Sequence, residues 1–309
     1  MLIATDKRVY FLVPTQGCSS PEIVLEGNTI HSLQEGKNLA VIVYDRSKLA
    51  LLSNSKIQKI DSGIQEPIEC LTLIEEEPLF LLIGTEAPHI YQFTDNGKPA
   101  MRIKSFDQLD VRELWYTPWG GPAAVRSLAH QGDWIYADIH VGSIMRSSDR
   151  GVSWEPVESS IHEDVHQVVT TPSAVSRVYA NTANAVYISE DSGQSWEHRA
   201  KGLNTNYGRA IAVHPQDPDC LLASVSRGPG SNVDGQLFRS DNTGLSWAPV
   251  TSGFPESTRN NINTFQIIFS TDGTAWAAVN ETLYKSDDRG NNWKIVWKAS
   301  DEIIMLSCA

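Results

Sequence analysis

Between Ala124 and Val157 the chain reads as four short apolar segments, each parted from the next by a few polar or turn-forming residues: AVRSLAH (124–130), WIYADI (134–139), SIMRS (143–147) and WEPV (154–157). Runs this short, rich in β-branched and aromatic residues and bounded by Gly, Asp and Ser, predict strands. We label them A to D. The same order fits DVHQVVT, RVYAN, AVYIS and WEHR, and it returns in the segments that start at Tyr207 and at Asn263. In the first half, TIHSLQ, LAVIVYD, KLALLS and KIQKI make a further set, as do IECLTLI, LFLLIGT, HIYQFT and AMRIKS. Two remnants are left: EIIMLSC at the carboxyl end, and LIATD, RVYFLV and EIVLEG at the amino end. Joining the first as strand A to the others as strands B, C and D completes a seventh set and leaves no open edge to the array.

The pattern therefore predicts an all-β chain forming a single seven-bladed β-propeller of four-stranded blades over residues 1–309. The approximate blades are 300–309 with 1–27, 28–67, 68–115, 122–160, 164–203, 207–256 and 261–299. About 44 residues per blade is the expected size for such a repeat.

A second pattern lies between strands C and D. SSDRGVSW ends on Trp154, SEDSGQSW on Trp196, SDNTGLSW on Trp247 and SDDRGNNW on Trp293, at steps of 42, 51 and 46 residues. The shared form is Ser-x-Asp-x-Gly-x-x-Trp, carried by Asp149, Gly151 and Trp154, by Asp191, Gly193 and Trp196, by Asn242, Gly244 and Trp247, and by Asp288, Gly290 and Trp293. It suits a turn: the carboxylate accepts backbone N–H groups, glycine takes a positive φ, and tryptophan covers the apolar face of the blade. Counting twelve positions from Asp149, Asp191 and Asp288 reaches Ser160, Gly202 and Ala299. None is an acid, which excludes an EF-hand calcium loop.

These boxes resemble the Asp-box, or BNR, repeats of sialidases, sortilin-type receptors, xyloglucan-degrading enzymes and photosystem II assembly factors. The resemblance covers roughly residues 122–299 and implies a propeller; because sites are grafted onto such folds, it implies no single activity. A sialidase would also bring an arginine cluster for a carboxylate, a Tyr-Glu nucleophile pair, an Asp acid and a Phe/Tyr-Arg-Ile-Pro motif near its start. That motif is absent here.

Composition narrows the partners. The formal net charge is -12, with no basic stripe, which argues against nucleic acid. No apolar stretch reaches the roughly 18 residues that span a bilayer, and charge at Asp6, Lys7 and Arg8 spoils a signal-peptide reading, so a soluble cytoplasmic protein without membrane insertion is expected. Cys18, Cys70, Cys220 and Cys308 lie far apart with no CxxC pair, as expected of reduced, mostly buried thiols.

Aligning the A strands puts His31, Glu69, Arg126, His166, Arg209, Gln266 and Ile304 in one register, six of the seven polar. In propellers strand A lines the central channel, so this register predicts a polar, partly cationic axial site for a small anionic or sugar-like ligand. Loops on the same side add Trp119, His140, Tyr207, Arg227 and the asparagines of RNNIN; the excursion from Ser226 to Gly235 is the longest B–C connection. His140 and His166 are the candidates for proton transfer or for a His-bound divalent metal, and Arg126 and Arg209 for anion stabilisation. The competing reading is a channel of polar side chains and water that satisfy one another.

His162 to His166 spell HEDVH, a match to the zinc-protease motif, which needs a helix to bring both histidines to one metal. The repeat places this segment in a strand, where positions four apart are separated by roughly 13 Å. A zinc protease is therefore excluded. Two functions fit the sequence: a ligand-binding propeller, a hydrolase or lyase if it acts on its ligand, and a non-catalytic interaction or assembly scaffold with a protein partner.

Overall fold

A computed structural model describes residues 1–13, 21–157 and 160–308. The chain is all-β, a seven-bladed β-propeller of four-stranded antiparallel sheets. Ile303–Ser307 joins Leu2–Thr5, Arg8–Phe11 and Glu22–Glu26 as blade 1, so the last strand is strand A of the first blade. Blade 2 comprises Ile30–Glu35, Ala40–Tyr44, Lys48–Ser53 and Lys56–Ile60; blade 3 comprises Ile68–Glu76, Leu79–Thr85, Ile90–Thr94 and Met101–Arg102. Blade 4 is built from Val125–Gln131, Trp134–Ile139, Ser143–Ser147 and Glu155–Pro156. Val165–Thr170, Val178–Thr182, Ala185–Ser189 and Glu197–His198 form blade 5; Tyr207–His214, Asp217–Ser226, Gln236–Ser240 and Ala248–Pro249 form blade 6. Blade 7 is Ile267–Phe269, Ala275–Val279, Thr282–Ser286 and Lys294–Lys298. Cys70 and Cys220 are buried free thiols and Cys308 is half-buried, while Cys18 lies outside the described residues.

The chain divides into two compact units, Met1–Glu155 with Met305–Ala309, and Pro156–Ile304. In both units B strands are deeply buried, Ala40–Tyr44 and Val178–Thr182 at every position. Box tryptophans tie blade to blade. Trp154 meets Phe106 edge-on at 5.2 Å in a cluster with Leu82 and Ile103 of the preceding blade. In the second unit Trp247 packs with Tyr179 and Ile188 of blade 5, and Trp293 with Phe254 and Leu222 of blade 6.

Two local departures from the sequence reading stand out. After Met101–Arg102 the chain forms a helical turn, Lys104–Asp107, and a 3-10 turn, Asp110–Leu114, because full burial of Phe106 against Trp115 and Trp154 outweighs the extended bias of the segment. Strand A of blade 7 starts at Ile267 rather than near Asn263, and Gln266 precedes it.

Each box is a closed circuit of hydrogen bonds. Ser147 Oγ accepts from Gly151 N at 2.8 Å and donates to Asp149 Oδ1 at 2.8 Å, while Asp149 accepts from Ser153 N at 2.8 Å and Ser153 Oγ at 2.6 Å. The boxes of Asp191 and Asp288 repeat these bonds, with the Asn292 amide in place of a hydroxyl. Where Asn242 replaces aspartate, polarity reverses and Asn242 Nδ2 donates to Ser246 Oγ at 2.8 Å. The circuit closes only if two successive residues are left-handed: Arg150 and Gly151 at φ 61° and 89°, Arg289 and Gly290 at 62° and 84°. The serine's role as acceptor of the glycine N–H, and the left-handed residue before glycine, are parts of the box that spacing alone does not reveal.

Gly151→Ala leaves its new Cβ 3.4 Å from the nearest side-chain atom, so only the left-handed backbone is penalised. The expected loss is about 1–2 kcal/mol in urea unfolding. Gly290→Ala, whose Cβ would also meet Leu222 Cδ2 at 2.8 Å, loses more; equal losses would contradict this assignment.

Burial raises the carboxyl pKa of Asp149, Asp191 and Asp288, but the hydrogen bonds from the box outweigh it and leave all three below the usual carboxylate range. Depressed groups of this kind contribute stability that is present above the unfolded value near pH 4 and is lost as pH falls through the folded one. A triple Asp→Asn variant, shaped on Asn242, is expected to fold normally at neutral pH and to lose less stability between about pH 4 and pH 2 than the parent. Acid titration of the thermal midpoint reads the difference.

Candidate functional site

Strand A of five blades carries the same irregularity. The pairing register with strand B shifts between Ile30 and Ser32, Ile68 and Cys70, Val125 and Ser127, Val165 and Gln167, and Gly208 and Ile211. The extra residues are His31, Glu69, Arg126 and His166, and in blade 6 Arg209 with Ala210. The polar register of the sequence is thus a register of β-bulges, and a bulge re-aims a side chain that a regular ladder would fix. In each blade the bulge lies beside the B–C turn, whereas the box turns close the other end of the strands.

In the first unit the bulged residues sit within one electrostatic neighbourhood. His31 Nε2 bonds Thr29 Oγ1 at 2.9 Å; burial, and then the Arg46 guanidinium, lower its pKa. Burial, and then the Glu86 carboxylate, push the Glu69 carboxyl above its usual range against the pull of Arg46 and Arg126. Arg46 and Glu86 pair at 3.2 Å. Both stand in B–C turns of the blades that lack a box, and the sequence reading missed them; the rule that B–C turns flank the first strands, applied to the first half as well, finds them. Trp119 is 74 % exposed, with Leu114 at 75 % and Tyr116 at 50 % nearby in sequence. His140 follows strand B of blade 4, its backbone N–H bonded to Ala124 O at 3.0 Å.

In the second unit His166 and Arg209 both approach Tyr207. The His166 ring lies 4.8 Å from that of Tyr207 at a tilt of 56°, and the Arg209 guanidinium lies 5.4 Å from the Tyr207 ring. His166 is 1 % exposed, with Nδ1 at 2.5 Å from Gly208 O and Nε2 at 3.3 Å from Asp164 Oδ1. Nδ1 meets a carbonyl of the next blade, so the ring joins blades 5 and 6. Gln266 is equally committed, accepting from Asn263 N at 2.6 Å and donating to Ile303 O at 2.6 Å. Arg227 pairs with Asp234 at 2.6 Å inside its own loop. Arg209 differs: it is half-buried, and its Nε has no hydrogen-bond partner among the described residues.

Among the described residues, no group of three His, Cys, Asp or Glu side chains is arranged to hold a metal. Nor, among the described residues, is any helix long and apolar enough to cross a membrane.

This chain is a β-propeller that carries Asp-box turns. The family model described as Sortilin, neurotensin receptor 3 matches residues 142–254, and that of the BNR-Asp box repeat matches residues 283–296. The curated Xyloglucanase Xgh74A of Acetivibrio thermocellus is 27 % identical over 209 residues, 53 % of this chain and 24 % of that protein. The chain thus spans about a quarter of the length of the curated relatives it matches. Among solved structures, an ancestral GH74 enzyme superposes with a TM-score of 0.64 at 16 % identity, over 89 % of this chain and 39 % of that one. YCF48 bound to a D1 peptide superposes with a TM-score of 0.51 at 18 % identity, over 74 % of this chain and 67 % of that one. At such identities the superpositions establish the fold alone.

A buried carboxyl held above its usual range destabilises the fold wherever it is ionised. For Glu69 this cost is present above the raised folded pKa and vanishes as pH falls toward the unfolded value near 4.3. Glu69→Gln is expected to raise the thermal midpoint at pH 7–8 and to leave it unchanged near about pH 3. A variant less stable than wild type at pH 8 would show that the carboxylate earns its place in the fold.

Proposed function

We propose that this propeller binds a small anionic or carbohydrate-like ligand through the bulged residues of its first strands. The observation that carries this reading is the repetition: a bulge recurs at one position in five blades, and that position holds His31, Glu69, Arg126, His166 or Arg209. A purely structural bulge would be served by small or apolar residues, and Glu69 is held ionisable at a cost to stability. Guanidinium groups at Arg126 and Arg209 suit a carboxylate or phosphate by paired hydrogen bonds, and the Tyr207 ring beside Arg209 suits the apolar face of a sugar.

If the ligand is also a substrate, a hydrolase or lyase reaction would use His140 for proton transfer and Arg126 or Arg209 for developing negative charge. The relationship to a xyloglucanase supports a carbohydrate within that class, over half of this chain.

A second reading, an interaction or assembly scaffold, is favoured by one observation. Leu114, Tyr116 and Trp119 expose a large apolar surface within six residues, backed by the Arg112 guanidinium 4.8 Å from the Trp115 ring. The structural neighbour YCF48 holds a peptide, which accords with a protein partner here.

Ligand-dependent thermal shift separates the two readings. Across a panel of anions and sugars, wild type is expected to gain stability, about 2.7 kcal/mol at a hundredfold excess over Kd, and the Arg126→Ala/Arg209→Ala variant to gain little. Identical responses of the two proteins overturn the binding reading. Loss of a co-purifying protein through Leu114→Ser/Trp119→Ser alone supports the scaffold.

A further inference from the structure

We propose that two outer strands of this propeller are complementary docking edges for a second copy of the same chain: Lys294–Lys298 of one copy pairs with Glu22–Glu26 of another. Among the described residues both strands end their sheets, with no further strand beyond them in the order. An outer strand presents a row of backbone donors and acceptors, and proteins usually blunt it. Four of the other blades do so by brevity: Met101–Arg102, Glu155–Pro156, Glu197–His198 and Ala248–Pro249 are two residues each, two of them with proline. Blades 1 and 7 keep five residues each and expose an isoleucine, Ile23 at 51 % and Ile295 at 56 %.

The two sequences are Glu-Ile-Val-Leu-Glu and Lys-Ile-Val-Trp-Lys. In an antiparallel register Lys294 faces Glu26, Ile295 faces Leu25, Val296 faces Val24, Trp297 faces Ile23 and Lys298 faces Glu22. Opposite charges meet at both ends and apolar side chains meet between them, the pairing that stabilises neighbouring strands. Each strand also bulges at its central valine: the register with strand C skips Val24 between Ile23 and Leu25, and skips Val296 between Ile295 and Trp297. The edges therefore bend at the same place.

Self-pairing is disfavoured for both. Two copies of 294–298 would set Lys294 against Lys298, and two copies of 22–26 would set Glu22 against Glu26, like charges directly opposite. The remaining five-residue outer strand, Lys56–Ile60, does not substitute: in the same register its Lys59 would face Ile23 and its Ile60 would face Glu22. Because two different strands meet, the contact is head-to-tail, and each copy in a pair still presents one edge of either kind. The contact costs the exposed pairs of Lys294 with Asp287 at 2.6 Å and Arg8 with Glu26 at 2.8 Å, both of a kind worth little.

Sedimentation velocity of the full chain at low and high salt, about 0.05 M and 0.5 M, tests the proposal. Wild type is expected to show a sedimentation coefficient that rises with concentration at low salt and not at high salt. Lys294→Glu/Lys298→Glu carries two acidic edges and Glu22→Lys/Glu26→Lys two basic ones, so each alone loses the rise, while an equimolar mixture regains it. Ile295→Lys, one exposed side chain, loses it as well. A wild type that stays monomeric throughout at low salt overturns the proposal. So does a mixture that behaves as the sum of its components, or a charge reversal that associates as wild type does. Far-ultraviolet circular dichroism of each variant verifies folding.

Discussion

A bulge on the first strand of a blade leaves backbone groups that strand B cannot satisfy, and side chains of neighbouring blades answer that need. Buried peptide groups must find partners. Val125 O accepts from Cys70 Sγ at 3.2 Å, His166 O from Thr264 Oγ1 at 3.1 Å, and Gly208 O from His166 Nδ1. Ala210 is served at both ends, its N–H by Ser224 Oγ at 2.9 Å and its carbonyl by Asn181 Nδ2 at 2.7 Å. Several of these partners belong to other blades, so the irregularity that re-aims polar side chains also joins blades within each unit. Gly208 follows from the same constraint, since a Cβ there would stand 1.7 Å from Asn181 Oδ1.

Much of the fold was legible in the sequence because its signals are local and repeated. Strands such as Trp134–Ile139 and Ser143–Ser147 fall where the apolar runs place them, and the box marks the C–D turn. What was not legible depends on pairing. A bulge is a count of two residues against one, fixed only once strand B is in register, so the polar alignment of His31, Glu69, Arg126, His166 and Arg209 could be written down without its cause. Gln266 shows the reverse: its amide occupies backbone groups that a longer strand would have used, and the predicted start at Asn263 gives way to Ile267. Arg46 and Glu86 lie in turns with no repeated motif around them, and only folding brings their charges to bear on His31 and Glu69.

The candidate site divides along the same line. Gln266, whose amide oxygen and nitrogen both bond backbone groups, looks functional in the strand alignment and acts as a joint in three dimensions. Glu69 and Arg209 behave otherwise, one ionisable at a cost and one with a buried nitrogen lacking a partner. These features set Glu69 and Arg209 apart within the register.

The long B–C loop of blade 6 is stitched to the segment that precedes blade 7. Gly235 and Thr258 exchange both backbone bonds, at 2.9 and 2.8 Å; Val233 N reaches Arg259 O at 2.9 Å, and Arg259 Nε reaches Asn232 Oδ1 at 2.8 Å. Neither stretch can lift without breaking all four bonds or carrying the other with it. Two loops of separate blades thereby become a single rigid parapet, and any ligand that approaches from this side meets a standing wall rather than a hinged door.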